Sequence, residues 1–460
     1  MDFKILRLYK LPLLFILSCT AFYISFGYDL NRTDFFKLIG IYAALFFLSF
    51  KLIKMLRHQL WMLASVAVLF RFLFIVSLPN LSQDYFRFIW DGRLLAAGWN
   101  PFLYQPELLI ENAANPVTQA DLLLKGMGSL SAGHFTSYPP VNQLIFGLAG
   151  LVAGKSILGS VIVMRVVIIA ADLGVLYLGQ KLLRNLNLPE HRIFWYILNP
   201  FIIIELTGNL HFEGVMVFFL LLSLYLLHLK KWIWSAIALG LSVSVKLLPL
   251  LFLPLFLKYF WKPKSFPNER GLNFQKLILY YVITISLVIV SFAPFISLEL
   301  ISNFSQTIGL WFQKFEFNAS IYYIIREIGF LIKGYNIIET AGKVLPLITI
   351  LILGGLAVFR KNYTIQKLIT TMLLGVSVYF FLSTTVHPWY LATPLLLSIF
   401  TTYRYIIVWT AMVMLSYYSY SNLDYSENLW IISIEYAVVF GYLCWEFLNK
   451  PFYAKKLGNL

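Results

Sequence analysis

Two aspartates and an arginine recur at helical spacing in the segment Ser82–Tyr104, SQDYFRFIWDGRLLAAGWNPFLY. Asp84, Arg87, Phe88 and Asp91 fall on one face of a short helix, which Asn100-Pro101 stops. Carboxylates so presented can take a proton from an attacking hydroxyl. An interfacial helix whose charges only sit in water has the same spacing, so the segment alone leaves both readings open. Three further polar groups stand between apolar runs: Asn209-Leu210-His211-Phe212-Glu213 with Glu205 one turn earlier, Lys246 within SVKLLP, and His387-Pro388-Trp389-Tyr390. Singly, a loop histidine caps or fills a core hydrogen bond and a lysine snorkels. Together they would bring acids, histidines and a lysine to one membrane depth, and ionisable groups there mark function. Arg165 and Asp172 lie two turns apart in one apolar run and are expected to form a buried structural ion pair.

The elements that must position these groups are membrane helices. Of 460 residues, 60% are apolar and 12% charged, with a mean hydropathy of +0.77. Soluble chains carry about 25% charged residues, so a water-soluble fold is excluded. Apolar runs at 11–27, 36–53, 60–78, 161–184, 193–207, 213–229, 232–246, 248–260, 277–296, 338–359, 367–386, 388–402, 404–420 and 429–448 predict about fourteen transmembrane helices. The stretch 139–153, PPVNQLIFGLAGLVA, opens on two prolines and is expected to be a re-entrant or juxtamembrane helix. The fold class is all-α, a polytopic bundle. Its segments are an N-terminal three-span part (1–78), an outer loop with juxtamembrane helices (79–160), core spans (161–296), a second outer loop (297–337) and C-terminal spans (338–460).

The net charge of +15 reads as Lys and Arg held in cytoplasmic loops, with the lipid bilayer and no nucleic acid as partner. Placing both termini in the cytoplasm puts the basic loops inside, among them Lys262, Lys264 and Arg270, and both long loops outside with most of the acids. The first apolar run reads as an uncleaved signal anchor. Cys19 and Cys444 lie in apolar runs, so no disulfide framework or Cys-based metal site exists. Without internal repeats or inverted symmetry, a transporter or lipid flippase is the weaker reading.

These segments also carry a resemblance. SQDYFRFIWDGRLLAAGWNPF, YPP at Tyr138, RVVIIAADLGVLYL from Arg165, NPFIIIELTGNLHFEG from Asn199, VKLLPLLFLP around Lys246, FEFNAS from Phe315 and HPWY from His387 occur in the order seen in GT-C fold glycosyltransferases. The chain looks most like polyprenyl-phosphate-mannose-dependent mannosyltransferases over roughly residues 80–400. Many relatives carry two adjacent acids where this chain has Gln83-Asp84, which leaves Asp84 as the single acid there.

The resemblance implies transfer of a hexose, mannose first, from a polyprenyl-phosphate donor to a glycan or glycolipid acceptor on the outer face. Asp84 would be the general base. Lys246, His387 and Arg93 would hold the donor phosphate, while Asp91, Asn209, His211, Glu213 and Tyr138 would orient sugar hydroxyls. The loop around Asn318 would shape the acceptor side. Asp84, Asp91, His211 and Glu213 are of types that ligate a divalent metal, but the resemblance implies catalysis with no metal or other cofactor. A bacterial cytoplasmic membrane, with the site facing the periplasm or exterior, fits this reading. The rivals are the flippase, and a GT-C-like transferase using another lipid-linked donor.

Overall fold

The computed structural model of the chain describes residues 3–112, 114–261, 274–422 and 424–457; the basic loop at Lys262, Lys264 and Arg270 lies outside them. Among the described residues the architecture is all-α, with one isolated parallel bridge, Phe317 to Thr385, and no named strand. Among the described residues, seven helices are long and apolar enough to cross a membrane: Tyr9–Tyr28, Phe35–Met55, Ile157–Asn185, Phe274–Phe295, Ile338–Phe359, Ile365–Leu382 and Leu429–Asn449. The protein is a polytopic helical membrane protein.

Against the fourteen expected crossings, the described residues hold seven full-length apolar helices, or eight if one bent pair is a single span, together with shorter apolar helices such as Leu60–Phe72, Trp232–Val245 and Pro388–Ile399. The other runs are helical but short or broken. Leu60–Phe72 has 13 residues, about 20 Å at 1.5 Å per residue, against a hydrocarbon core of about 30 Å. Between Pro200–Gly208 and Glu213–His228 the chain bends by 115°. Prolines account for several interruptions, because they lack the N–H of a continuing helix. Pro200 follows the cap Asn199, whose Oδ1 accepts from Phe201 N at 3.1 Å, and Pro388 opens the Pro388–Ile399 helix behind His387. Pro249 and Pro254 tighten Leu248–Phe256 into a 3₁₀ helix. Thus the polar groups between runs sit at helix breaks.

We label the first four helices α1 (Phe3–Tyr28), α2 (Phe35–Met55), α3 (Leu60–Phe72) and α4 (Asp84–Ala96). The expected short helix is α4; it ends at Ala97 with Gly98 at φ +81°, a left-handed cap suited to glycine. The 139–153 stretch forms the helix Pro140–Ala153, too short to span, with proline in its first turn. It crosses α4 backbone to backbone through glycines. A Cβ on Gly92 would fall on the Phe146 carbonyl, and one on Gly150 would fall on the Gly92 carbonyl. Gly92→Ala is accordingly expected to cost about 1–3 kcal/mol by forcing the helices apart. A thermal-unfolding midpoint unchanged from wild type would contradict this close crossing.

Candidate active site

Three side chains, Arg165 and Asn209 buried and Asn80 half-buried, fix the chain leading into α4. The Arg165 guanidinium donates to the carbonyls of Ile75 at 3.0 Å, Ser77 at 2.7 Å, Thr207 at 2.7 Å and Gly208 at 2.8 Å. It therefore joins the chain beyond α3 to the end of the Pro200–Gly208 segment. Asn80 Nδ2 donates to Phe26 O and Leu30 O at 2.7 and 3.0 Å, joining the same chain to the α1–α2 turn. Asn209 accepts from Leu81 N at 3.0 Å and donates to Ile204 O at 3.1 Å. Asp84 then emerges at the first position of α4, where the helix dipole favours an anion.

Asp84 is partly buried and, among the described residues, makes no ion pair. Burial pushes its carboxyl up to about 6, against the opposing pull of Lys246; Glu213 adds to the rise, and a hydrogen bond with Ser82 reduces it. Lys246 extends past the end of the Trp232–Val245 helix and pairs with Glu213, the first residue of the next-door helix. Its ammonium also lies 4.4 Å from the Tyr390 ring centroid. Asn142 Nδ2 holds Val245 O at 2.8 Å, so the Pro140–Ala153 helix sets the height of Lys246 as well as packing on α4. Tyr138 stands edge-on to Phe88 with centroids 4.9 Å apart; burial and then the Asp84 charge raise its phenol.

The two loop histidines meet across a tryptophan. His211 stacks on Trp389 at 3.7 Å between centroids, and His387 stacks on the same indole at 4.5 Å. His211 Nε2 is 3.6 Å from Glu205 Oε2, and Glu205 Oε1 accepts from Tyr417 OH at 2.8 Å. Glu205 lies in a π-helical turn, Ile203–Gly208, a local form common at functional sites. Burial, then Lys246, pulls His387 down to about 3, so this imidazole is neutral at physiological pH. Its Nδ1 is buried with no hydrogen-bond partner among the described residues.

The His387 loop is carried by a small bridge. Phe317 N donates to Thr384 O at 3.1 Å, and Val386 N to Phe317 O at 2.8 Å. Asn318, at φ +46°, anchors that bridge: its N–H donates to Glu427 at 2.7 Å and its Nδ2 to Glu435 at 3.2 Å. Asn318 thus acts on the loop's position from behind.

Two other expected site residues are committed to the scaffold. Asp91 is fully buried; its oxygens accept from Arg87 Nε at 2.8 Å and Gln143 Nε2 at 3.1 Å. Arg93 donates to Thr118 O, to Gln119 Oε1 at 3.1 Å and to Lys155 O at 2.9 Å. It lies nine residues beyond Asp84, about 13 Å along the helix.

The expected Arg165–Asp172 pair is corrected. Asp172 pairs with Arg71 Nε at 2.8 Å, while among the described residues Arg165 binds the four carbonyls. Two turns separate them along the axis by about 10 Å, and Arg71 comes closer from α3. Arg71, Tyr417 and Arg32, described below, carry no local sequence signal, because their partners are distant in the chain. Among the described residues, no group of three His, Cys, Asp or Glu side chains could hold a metal ion.

The structure therefore brings Asp84, Lys246, Glu213, Asn209, His211, Tyr138 and His387 near one another, and leaves Asp91 and Arg93 bound within the scaffold. Residues 35–262 match the family model for the alpha-(1->6)-mannopyranosyltransferase N-terminal domain. The chain is 22% identical over 188 residues to alpha-(1->6)-mannopyranosyltransferase A of Mycobacterium tuberculosis, covering 41% of this chain and 34% of that protein. It is 28% identical over 156 residues to alpha-(1->6)-mannopyranosyltransferase B of Corynebacterium glutamicum, covering 33% of this chain and 24% of that protein. The matches thus span about a third or less of those relatives' length. The resemblance to mannosyltransferases holds over this region, which contains Asp84 and Lys246 but not Asn318 or His387.

Proposed function

We propose that this chain is a GT-C-like membrane mannosyltransferase that moves mannose from a polyprenyl-phosphate donor to a hydroxyl of a glycan or glycolipid acceptor. The observation that carries the reading is Asp84: a partly buried carboxylate that has no ion-pair partner among the described residues, raised to about 6, beside Lys246. Such a group is ionised at neutral pH yet basic enough to take a proton. The family match over residues 35–262 supports the sugar.

In this mechanism the acceptor oxygen attacks the anomeric carbon and passes its proton to Asp84. The bond from that carbon to the phosphate oxygen breaks, and its electron pair leaves with the polyprenyl phosphate. The leaving group is already a stable anion, so no general acid is needed. Lys246 meets the developing charge, and neutral His387 offers a ring N–H to a phosphate oxygen. Asn209, His211, Glu213 and Tyr138 line the sugar's side, while Asp91, Arg93 and Asn318 act by positioning. The step is metal-free: Asp91 and Glu213, two of the four side chains suited to a cation, are already bound to Arg87 and Lys246. The site faces the periplasm or exterior of a bacterial cytoplasmic membrane, with both termini cytoplasmic.

The pH dependence tests the base. Asp84 acts when deprotonated, so kcat/KM is expected to rise through about pH 6 and to fall about tenfold per unit well below it. A profile flat from pH 5 to 8 would remove a carboxylate base from the mechanism. A donor panel tests the sugar: consumption of mannose donors over glucose, galactose and arabinose donors is expected, and transfer from none of them would turn the reading to a lipid flippase.

A further inference from the structure

The cations around Asp84 are unequally committed. Lys246 is paired with Glu213, Arg87 with Asp91, Arg93 with carbonyls, and Arg165 with four carbonyls. Arg32 differs. It stands in the α1–α2 turn, and among the described residues it has no carboxylate partner. Its only hydrogen bond there is Nη2 to Gln83 Oε1 at 3.5 Å, beyond the ordinary 2.7–3.2 Å range.

Aromatic faces hold this guanidinium instead. Its central carbon lies 5.0 Å from the Tyr420 ring centroid and 5.9 Å from that of Tyr425. A ring face restrains the guanidinium plane and leaves its N–H edge unspent. The backbone beneath is fixed as well. Asn80 holds Leu30 O at 3.0 Å, Asp34 N donates to Asn31 O at 2.9 Å, and the Asp34 carboxylate caps α2 at Lys37 N. Gln83, which Arg32 touches, immediately precedes Asp84 and is itself held by Met127 O at 2.9 Å. Tyr420 lies within the fields of both Arg32 and Asp84. Arg32 thus reaches the site through Gln83 and Tyr420, whereas Lys246 reaches it through Glu213 and Tyr390.

We propose that Arg32, on the platform of Tyr420 and Tyr425, is an anion subsite that takes the phosphate of a lipid-linked substrate beside Asp84. A pre-oriented guanidinium edge matches two phosphate oxygens through charge-assisted bonds. The inference rests on the mannosyltransferase reading for the identity of the substrate, but the subsite is defined by its phosphate. That phosphate belongs to the donor, or to an acceptor that carries one. Arg32, Tyr420 and Tyr425 lie outside residues 35–262, so the family match does not supply them.

The test measures binding apart from turnover. Full-length protein in lipid nanodiscs is titrated with polyprenyl phosphate and, as control, with phosphate-free polyprenol, for wild type, Arg32→Ala, Arg32→Lys and Tyr420→Leu. KM for polyprenyl-phosphate mannose and for a lipid-extract acceptor is measured in parallel, and thermal unfolding reports folding. If the phosphate is the donor's, Arg32→Ala weakens polyprenyl phosphate at least tenfold and Arg32→Lys less; Tyr420→Leu also weakens it, and polyprenol is unaffected. If it is the acceptor's, polyprenyl phosphate binding is unchanged and only acceptor KM rises. If Arg32→Ala does not fold, Arg32→Lys and Tyr420→Leu decide by the same readings. Folded variants with wild-type binding and wild-type KM for both substrates overturn the subsite. Wild-type protein that binds polyprenyl phosphate through Arg32 but transfers no mannose leaves the subsite standing and overturns the mannosyltransferase reading.

Discussion

Asp84→Asn is expected to lower the transfer rate by about 10²–10⁴-fold, the usual contribution of a positioned general base, and to raise stability slightly. Asparagine keeps the shape of the side chain at the start of α4 but cannot accept the acceptor's proton. The stability effect follows from the raised carboxyl, about 6 in the fold against 3.8 for the free group. A folded value above the unfolded one means that the fold prefers the protonated acid. The ionised carboxylate therefore costs stability, a cost absent below about pH 4 and complete above about pH 6. Asp84 is partly exposed, so the full shift is discounted to about 1 kcal/mol. Unfolding midpoints of wild type and variant should coincide at pH 4 and separate above pH 6, with the variant higher. Full activity in the variant would remove Asp84 from the mechanism; a lower midpoint at pH 7 would show that its charge supports the fold.

Breaking the Arg71–Asp172 pair is expected to have the largest effect on stability. Both side chains are 1% exposed, and Arg71 also donates to Ala67 O and Ile197 O at 3.0 Å. The pair ties α3 to Ile157–Asn185, the helix whose Arg165 holds the chain running into Asp84. Removing one partner leaves an uncompensated buried charge, at a cost of about 3–5 kcal/mol. Arg71→Met and Asp172→Leu singly should each unfold at much lower temperature or fail to accumulate. The double variant should recover most of the loss, because two well-packed apolar groups replace both charges. Arg165→Met combined with Asp172→Leu should show no such recovery. Simple additivity of the Arg71 and Asp172 losses would contradict the pair.

The same pair shows where sequence reasoning stops. The helix carrying Asp84 could be read locally, because side chains three and four residues apart share a face. The short helix at 140–153 was legible from its prolines and length, and the structure gives it a role in placing both α4 and Lys246. Asp172 misled because the nearest cation along the sequence, Arg165, is two turns away, whereas its partner, Arg71, is 101 residues distant. Asp91 misled differently. Its spacing from Asp84 put both acids on one face of α4, but the Pro140–Ala153 helix covers its end of that face and supplies Gln143. Hydropathy marks the apolar runs but does not register the breaks at Pro200, Pro249 and Pro388 that leave several of them short. Those breaks set the polar loops at the site, so the departures from regular helix coincide with the candidate chemistry.

The most direct test of the central claim is one transfer assay with two donors. Purified protein in nanodiscs is given radiolabelled mannose either as polyprenyl-phosphate mannose or as a nucleotide sugar, together with a lipid-extract acceptor, for wild type beside Asp84→Asn. The expected result is label moved to acceptor from the lipid donor alone, with matching release of polyprenyl phosphate, and loss of both in the variant. Transfer from the nucleotide sugar, or undiminished transfer by Asp84→Asn from the lipid donor, would contradict it.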